Sequence, residues 1–215
     1  MADPAPSNSS QRSVSRLTDP KALRALAHPI RLALVGQLRA RGQLTATQAA
    51  ELLGESSASC SFHLRQLAKY GLVEEAGGGQ GRERPWRATA LFTSWPETDE
   101  DPKVEAAAGL LRGVITDHYL AGLARWQQAL PDEPAEWQDA ADFGDTVAYL
   151  TASELADLTR RTRAMLDAYL DRLTNPALRP PDSRLVNFLH IAHPVVGSPL
   201  ADPRDRPADS SDKES

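Results

Sequence analysis

The side chains best suited to chemistry are few: one cysteine, Cys60, and five histidines among 215 residues. A metal centre needs several such ligands converging at short spacing, and the chain does not supply them. Asp117 and His118 are adjacent, so on a helix they point about 100° apart and cannot chelate one ion together. His190 and His193, three apart on an expected strand, face opposite sides. His28 stands just before Pro29 and reads as a polar helix-start group. No metal and no other cofactor is expected. Cys60 could act as a redox switch, but it shares a helical stripe with Leu64 and Leu67, where a small apolar residue belongs. The nucleophile elbow, the phosphate loop, the dinucleotide fingerprint and the paired-His zinc motif are all absent. Glu74, Glu75 and Glu83 lie close in sequence, yet on a hairpin that offers no cleft for paired-carboxylate chemistry. An enzyme is not expected.

Charge remains. The net charge of −5 hides an asymmetry: residues 1–95 carry a net +5 and residues 96–215 a net −10. A basic half joined to an acidic half fits a module that faces a polyanion beside one that avoids it. Within the basic half, Arg65 lies on an expected helix, and Arg82, Arg84 and Arg87 lie in and after a glycine-rich bend.

The elements that must position these cations can be read from their punctuation. Asp19-Pro20 pairs an N-cap with proline at the first helical position and opens a short helix. His28-Pro29 repeats the pattern and opens a second helix that ends at Gly42. Thr45 and Gln48 form a capping box for a two-turn helix that stops at Gly54. Ser56 and Ser57 start a fourth helix, closed by Gly71. Leu72–Glu75 and Pro85–Ala90 flank a glycine turn and read as a β-hairpin. In such an order the helix from Ser56 can lie in a DNA major groove, braced by the Gln48 helix. The hairpin arginines Arg82, Arg84 and Arg87 can then reach phosphates or the minor groove. Helical periodicity assigns Cys60, His63, Leu64 and Leu67 to the core side. Ser57, Ala58, Ser61, Phe62 and Arg65 take the opposite side, toward DNA.

The segments ALAHPIRLALVGQL (25–38), TATQAAELLG (45–54) and SSASCSFHLRQLAKYGLVEE (56–75) resemble the ArsR-type winged helix-turn-helix family of bacterial transcription regulators. The resemblance covers about residues 17–95. It implies base contacts from Ser57, Ala58, Ser61 and Phe62. Ala58 and Phe62 replace polar residues common there; they offer apolar contact with thymine methyls rather than bidentate hydrogen bonds. The resemblance also implies two known metal sites, and the residues argue against both. The Gln48 helix has no cysteine, and Asp117-His118 has no His or acidic residue in the following two turns.

Residues 103–130 repeat apolar side chains at helical spacing: Val104, Ala108, Leu111, Ile115, Tyr119 and Trp126. A stripe this long calls for a partner helix, so a homodimer is expected to form there. Residues 142–150 and 184–193 suit strands around a helix opened by the Thr151–Glu154 capping box. This second half resembles, less specifically, the larger members of the family with an added C-terminal domain. Its aromatic residues Trp126, Trp137, Phe143, Tyr149 and Tyr169 could line a cavity for a small organic effector.

The expected fold is mainly α: a winged helix-turn-helix with a β-hairpin wing, a long dimerisation helix and a small α+β C-terminal unit. Residues 1–16 and 197–215 are expected to be a disordered arm and tail, with domains at 17–95 and 103–196. The expected function is that of a DNA-binding regulator, by resemblance a repressor, acting as a homodimer on an inverted-repeat operator of double-stranded DNA. The competing class is a protein-interaction adaptor that binds a partner through the C-terminal module. No run long and apolar enough for a transmembrane helix is present and the first residues are polar, so the expected location is the cytoplasm.

Overall fold

The computed structural model describes residues 14–78, 84–96 and 98–196. Four helices come first: α1 (Pro20–Leu26), α2 (Pro29–Arg41), α3 (Ala46–Leu53) and α4 (Ser57–Ala68). Each begins where its cap predicts. The Asp19 carboxylate accepts the Lys21 N–H at 2.9 Å, and the Ser56 hydroxyl accepts the Ser59 N–H at 3.1 Å. The Thr45–Gln48 box closes in both directions, at 3.2 and 2.8 Å, satisfying two N-terminal amides reciprocally. Between α3 and α4 the chain turns through Gly54, whose φ of 68° lies in the left-handed region that a Cβ disfavours. The Glu55 N–H then reaches back to the Ala50 carbonyl at 3.0 Å, capping the orphaned end of α3.

The wing follows. β2 (Val73–Glu75) pairs antiparallel with β3 (Trp86–Ala88), with Glu74 opposite Arg87 and Glu75 opposite Trp86. Leu44 extends this sheet by exchanging both backbone hydrogen bonds with Trp86, at 3.0 and 2.8 Å. A second small sheet joins β1 (Val14–Arg16) in parallel to β4 (Phe92–Ser94). The expectation that residues through 16 form a disordered arm therefore needs correction. Val14–Arg16 finds a partner edge, and the Leu17 N–H continues the ladder to the Ser94 carbonyl at 2.8 Å. Residues 1–13 and the tail 197–215 lie outside the described residues.

One core unites these elements: Leu23 and Leu26 from α1, Leu34, Val35 and Leu38 from α2, Ala49 and Ala50 from α3, Cys60, Leu64 and Leu67 from α4, with Val73 and Trp86 of the wing. The long helix α5 (Pro102–Ala129) joins it. Asp101 caps α5, and Val104, Ala107, Ala108 and Leu111 are buried in that same core, with α1 as the main neighbour. This corrects the expected dimerisation stripe. Val104, Ala108 and Leu111 are already buried within one chain, because α1 supplies the partner face that the spacing demanded. Only the later part of the stripe, with Ile115, Tyr119 and Trp126 half-buried, keeps area for anything else.

The chain divides into two units, and not at residues 96–102. The first contains the described residues up to 144 together with 169–185; the second contains 145–168 and 186–196. The first unit thus includes α5, the short helices α6 (Ala135–Ala140) and, after the excursion, α8 (Asp171–Thr174). Its later part is tied by Arg184, whose guanidinium pairs with Glu133 at 2.6 Å and stacks 4.8 Å over the Trp137 ring. The second unit is built on α7 (Ala152–Asp167), opened by the Thr151–Glu154 capping box. The Glu154 carboxyl is held below its ordinary pKa by the Thr151 backbone and hydroxyl hydrogen bonds. The strands expected at 142–150 and 184–193 are not formed: both segments lack sheet pairing among the described residues. A strand exists only when a second backbone satisfies its N–H and C=O groups, and no such partner lies alongside them.

Candidate nucleic-acid interface

Helix α4 presents two unlike sides. Cys60, His63, Leu64 and Leu67 are buried, whereas Ser57, Ala58, Phe62 and Arg65 are exposed and Ser61 is half-buried. At 100° per residue, Ala58, Phe62, Arg65 and the exposed Lys69 fall on one stripe. Lys69 was not among the sequence-derived candidates, although the same i+4 spacing from Arg65 points to it. The Arg65 guanidinium makes no ion pair or hydrogen bond with the described residues, so all its donors are available. Phe62 is half exposed, with only an edge contact to the His63 ring, whose centroid is 5.2 Å away. An exposed aromatic beside a free guanidinium costs solubility unless something apolar and anionic covers both.

The brace between α3 and α4 is direct. Thr47 Oγ1 and Ser57 Oγ are 3.3 Å apart, joining the starts of the two helices. Gln48 is exposed, but its carbonyl oxygen is committed to the Thr45 N–H, leaving its amide hydrogens as donors toward a phosphate.

The wing differs from its expectation. Arg84 pairs with Glu75 at 2.7 Å, and Arg87 pairs with Glu74 at 2.7 Å across the antiparallel register. The Glu75 hydrogen bond raises the Arg84 pKa further. Both cations are exposed but locally neutralised, so they are not free charges waiting for phosphate. Such exposed pairs are worth about 0–1 kcal/mol, and a phosphate can displace either carboxylate. Arg82 lies outside the described residues.

Other cations of the basic half are engaged structurally. Arg39 donates to the Ala90 carbonyl at 3.0 Å and to the Thr93 hydroxyl, fixing the end of the wing to α2. Arg31 donates to the Ala25 and Arg24 carbonyls at the end of α1. Beside it the rings of His28 and His63 pack at a 40° tilt with centroids 4.7 Å apart, and neither Nδ1 has a hydrogen-bond partner among the described residues. Burial, then the Arg31 charge, lowers the pKa of both imidazoles; the His63 charge lowers His28 further, and Glu55 opposes the shift in both. Both shifts favour the neutral imidazole. Burial pushes the Cys60 thiol up, with the Glu55 carboxylate adding to it.

Residues 26–76 match the family described as a helix-turn-helix domain. This segment is a helix-turn-helix domain. A helix-turn-helix domain is the DNA-binding element of transcription regulators. Two solved structures are similar to parts of the chain. Reduced HlyU from Vibrio cholerae shares 22% identity over 44% of this chain and 84% of its own, with a TM-score of 0.29. A mutant of ZitR from Lactococcus lactis shares 15% identity over 69% of this chain and 73% of its own, with a TM-score of 0.24. No curated protein matches the chain. The helix-turn-helix match ends at Ala76, one residue past β2, so α5 and the C-terminal unit stand outside it.

The remaining candidates do not assemble. Among the described residues no group of three or more His, Cys, Asp or Glu side chains is placed to hold a metal ion. Of the five aromatics proposed for an effector cavity, Trp126, Trp137, Phe143 and Tyr169 belong to the first unit and Tyr149 to the second. Phe143 and Tyr149 face solvent, Trp137 lies under Arg184, and Tyr169 lies under Arg172 with its own ring exposed. Trp126 is half-buried on α5. Phe143 and Tyr149 are too exposed to wall a closed cavity. A shallow depression does run along α7, lined by Ser153, Glu154, Asp157, Leu158 and Arg161, without any of those aromatics. No helix among the described residues is long and apolar enough to cross a membrane.

Proposed function

We propose that the protein is a repressor that binds an inverted-repeat operator as a homodimer, with α4 of each copy in the major groove. The observation that carries this is the outer stripe of α4: exposed Ser57, Ala58, Phe62, Arg65 and Lys69, with a free guanidinium at its centre. Arg65 reads a guanine edge or a phosphate beside it, and Ala58 and Phe62 contact thymine methyls. Ser57 and Ser61 donate to whichever acceptor lies nearest, while Gln48 and Thr47 fix the helix on the backbone. Arg84 and Arg87 exchange their carboxylates for phosphates on docking.

Two copies are needed because one offers so little. A single short helix with one free guanidinium and a neutralised wing provides few phosphate contacts, and affinity rises with their number. The later part of α5 supplies apolar area for pairing: Ile115, Tyr119 and Trp126 are half-buried and Leu120 is exposed. Selection from a random duplex library tests this. Enrichment of an inverted repeat with half-sites roughly 10 or 20 bp apart is expected. Enrichment of isolated half-sites, or of no sequence, would contradict the proposal.

A further inference from the structure

Each base edge in the major groove calls for its own partner. Guanine takes a guanidinium, adenine an amide offering donor and acceptor together, cytosine a carboxylate, and the thymine methyl an apolar group. On the outer stripe of α4 the side chains of Ala58, Phe62, Arg65 and Lys69 include no amide and no carboxylate. Gln66, the one amide on α4, is half-buried and lies about 80° round the helix from Ala58. Gln48 has its amide oxygen on the Thr45 N–H at 2.8 Å, which holds it against the cap of α3 rather than free to straddle an adenine. The nearest acidic residues in sequence, Glu51 and Glu55, belong to α3 and to the turn before α4. The hydroxyls of Ser57 and Ser61 donate or accept equally, so they separate no bases. Two edges remain legible to the stripe: guanine through Arg65, and a pyrimidine 5-methyl group through Phe62 and Ala58.

The geometry favours Phe62 for the second task. Its ring is 50% exposed and is steadied by the edge contact to the buried His63 ring, with centroids 5.2 Å apart. A side chain already held by a core neighbour loses little freedom on meeting a ligand. Residues three apart on a helix have Cβ atoms about 5–6 Å apart, and bases along one strand lie about 3.4 Å apart. Phe62 and the free guanidinium of Arg65 can therefore meet neighbouring bases. A phenyl ring forms no hydrogen bond with the O4 or N4 group of a pyrimidine; what it meets is the methyl carbon. Thymine and 5-methylcytosine carry that carbon at the same place, whereas uracil and cytosine lack it.

We propose that Phe62 senses the 5-methyl group of a pyrimidine beside a guanine read by Arg65. At that position thymine and 5-methylcytosine are bound alike, and uracil and unmodified cytosine more weakly. Methylation of cytosine at C5, which adds neither charge nor a hydrogen-bonding group, then strengthens binding to such a site. This rests on the reading of α4 as the helix in the groove and adds to it which atom is read.

Fluorescence anisotropy on a selected operator provides the test. Each thymine is replaced in turn by deoxyuridine, which removes one methyl and leaves every hydrogen-bonding group in place. At a thymine beside a guanine, wild type should bind the uracil duplex about fourfold more weakly, the equivalent of about 0.8 kcal/mol for one buried methyl. A 5-methylcytosine–guanine pair at that position should restore the affinity that a cytosine–guanine pair loses. Phe62→Ala, at a half-exposed site, should keep the circular dichroism of wild type and bind the duplexes with and without the methyl equally. Selective binding with no penalty for uracil at any position would overturn this inference and leave the DNA-reading proposal standing. A uracil penalty that 5-methylcytosine does not relieve would mean that the O4 edge is read as well, and would overturn it too. So would a methyl effect that survives in Phe62→Ala, since another group or the shape of the duplex then senses the methyl. Selection of no sequence at all would overturn both.

Discussion

The two units of this chain are made from similar residue types and reach opposite packing. In the first, short capped helices converge, and Leu23, Leu34, Leu64, Leu67 and Leu111 are each sealed from solvent. In the second, an equally well-capped helix, α7, buries none of its residues. Caps and periodicity decide where a helix begins and which side is apolar; they do not decide what covers that side. For α5 the cover is α1 of the same chain, whereas α7 has no buried residue.

The sharpest way to break this comparison is to truncate one leucine in each unit. Leu64→Ala should cost about 2–5 kcal/mol of unfolding free energy, because a fully buried side chain leaves a cavity. Leu158→Ala, at an exposed site, should change the unfolding of the first unit by less than about 0.5 kcal/mol. Urea titration followed by far-UV circular dichroism reads both; equal losses would mean that the two units share one core.

Acid should act on the first unit through the His28–His63 stack. Both folded-state pKa values are lowered, so the unfolded chain binds more protons below about pH 6.5. The stabilisation by neutral imidazoles is complete above that value. It is lost as the pH falls from 6.5 toward the depressed folded-state values, by at most about 1.4 kcal/mol per pH unit for each ring. Arg31 repels the incoming charge and Glu55 partly compensates it. Unfolding free energies at pH 7.5 and 5.5 should show the loss, and His63→Gln should flatten it. Stability that rises on acidification would contradict the assignment.

A smaller effect separates the wing from the recognition helix. Glu74→Gln with Glu75→Gln frees Arg87 and Arg84. Binding to random DNA should then tighten, because neither carboxylate has to be displaced before its arginine meets a phosphate. An unchanged affinity would mean that the wing never meets phosphate. The smallest effect expected is at Cys60. Fully buried and with its thiol pushed up, it should leave DNA binding insensitive to peroxide in wild type and in Cys60→Ser alike. Reversible loss of binding on oxidation would make it a switch.

Local chemistry was readable in advance, and non-local partnership was not. The caps at Asp19, Thr45, Ser56 and Thr151, the hairpin, and the two sides of α4 follow from residue types at fixed offsets. The pairing of Val14–Arg16 with β4 links positions nearly eighty residues apart and has no local signature. The stripe on α5 was visible, but whether α1 or a second chain covered it was not. The hairpin arginines were visible too; their neutralisation depended on strand register, which residue types alone do not set. The strands at 142–150 and 184–193 failed for the same reason: alternation of apolar residues marks a segment able to pair, and pairing is a property of two segments.

The central claim is that the outer stripe of α4 reads DNA. Fluorescence anisotropy of wild type and Arg65→Ala, on a selected operator and on a scrambled duplex of equal length, tests it most directly. Loss of the free guanidinium should weaken operator binding by about 1–3 kcal/mol and scrambled-duplex binding by much less. Equal losses on both duplexes, or none on either, would contradict it.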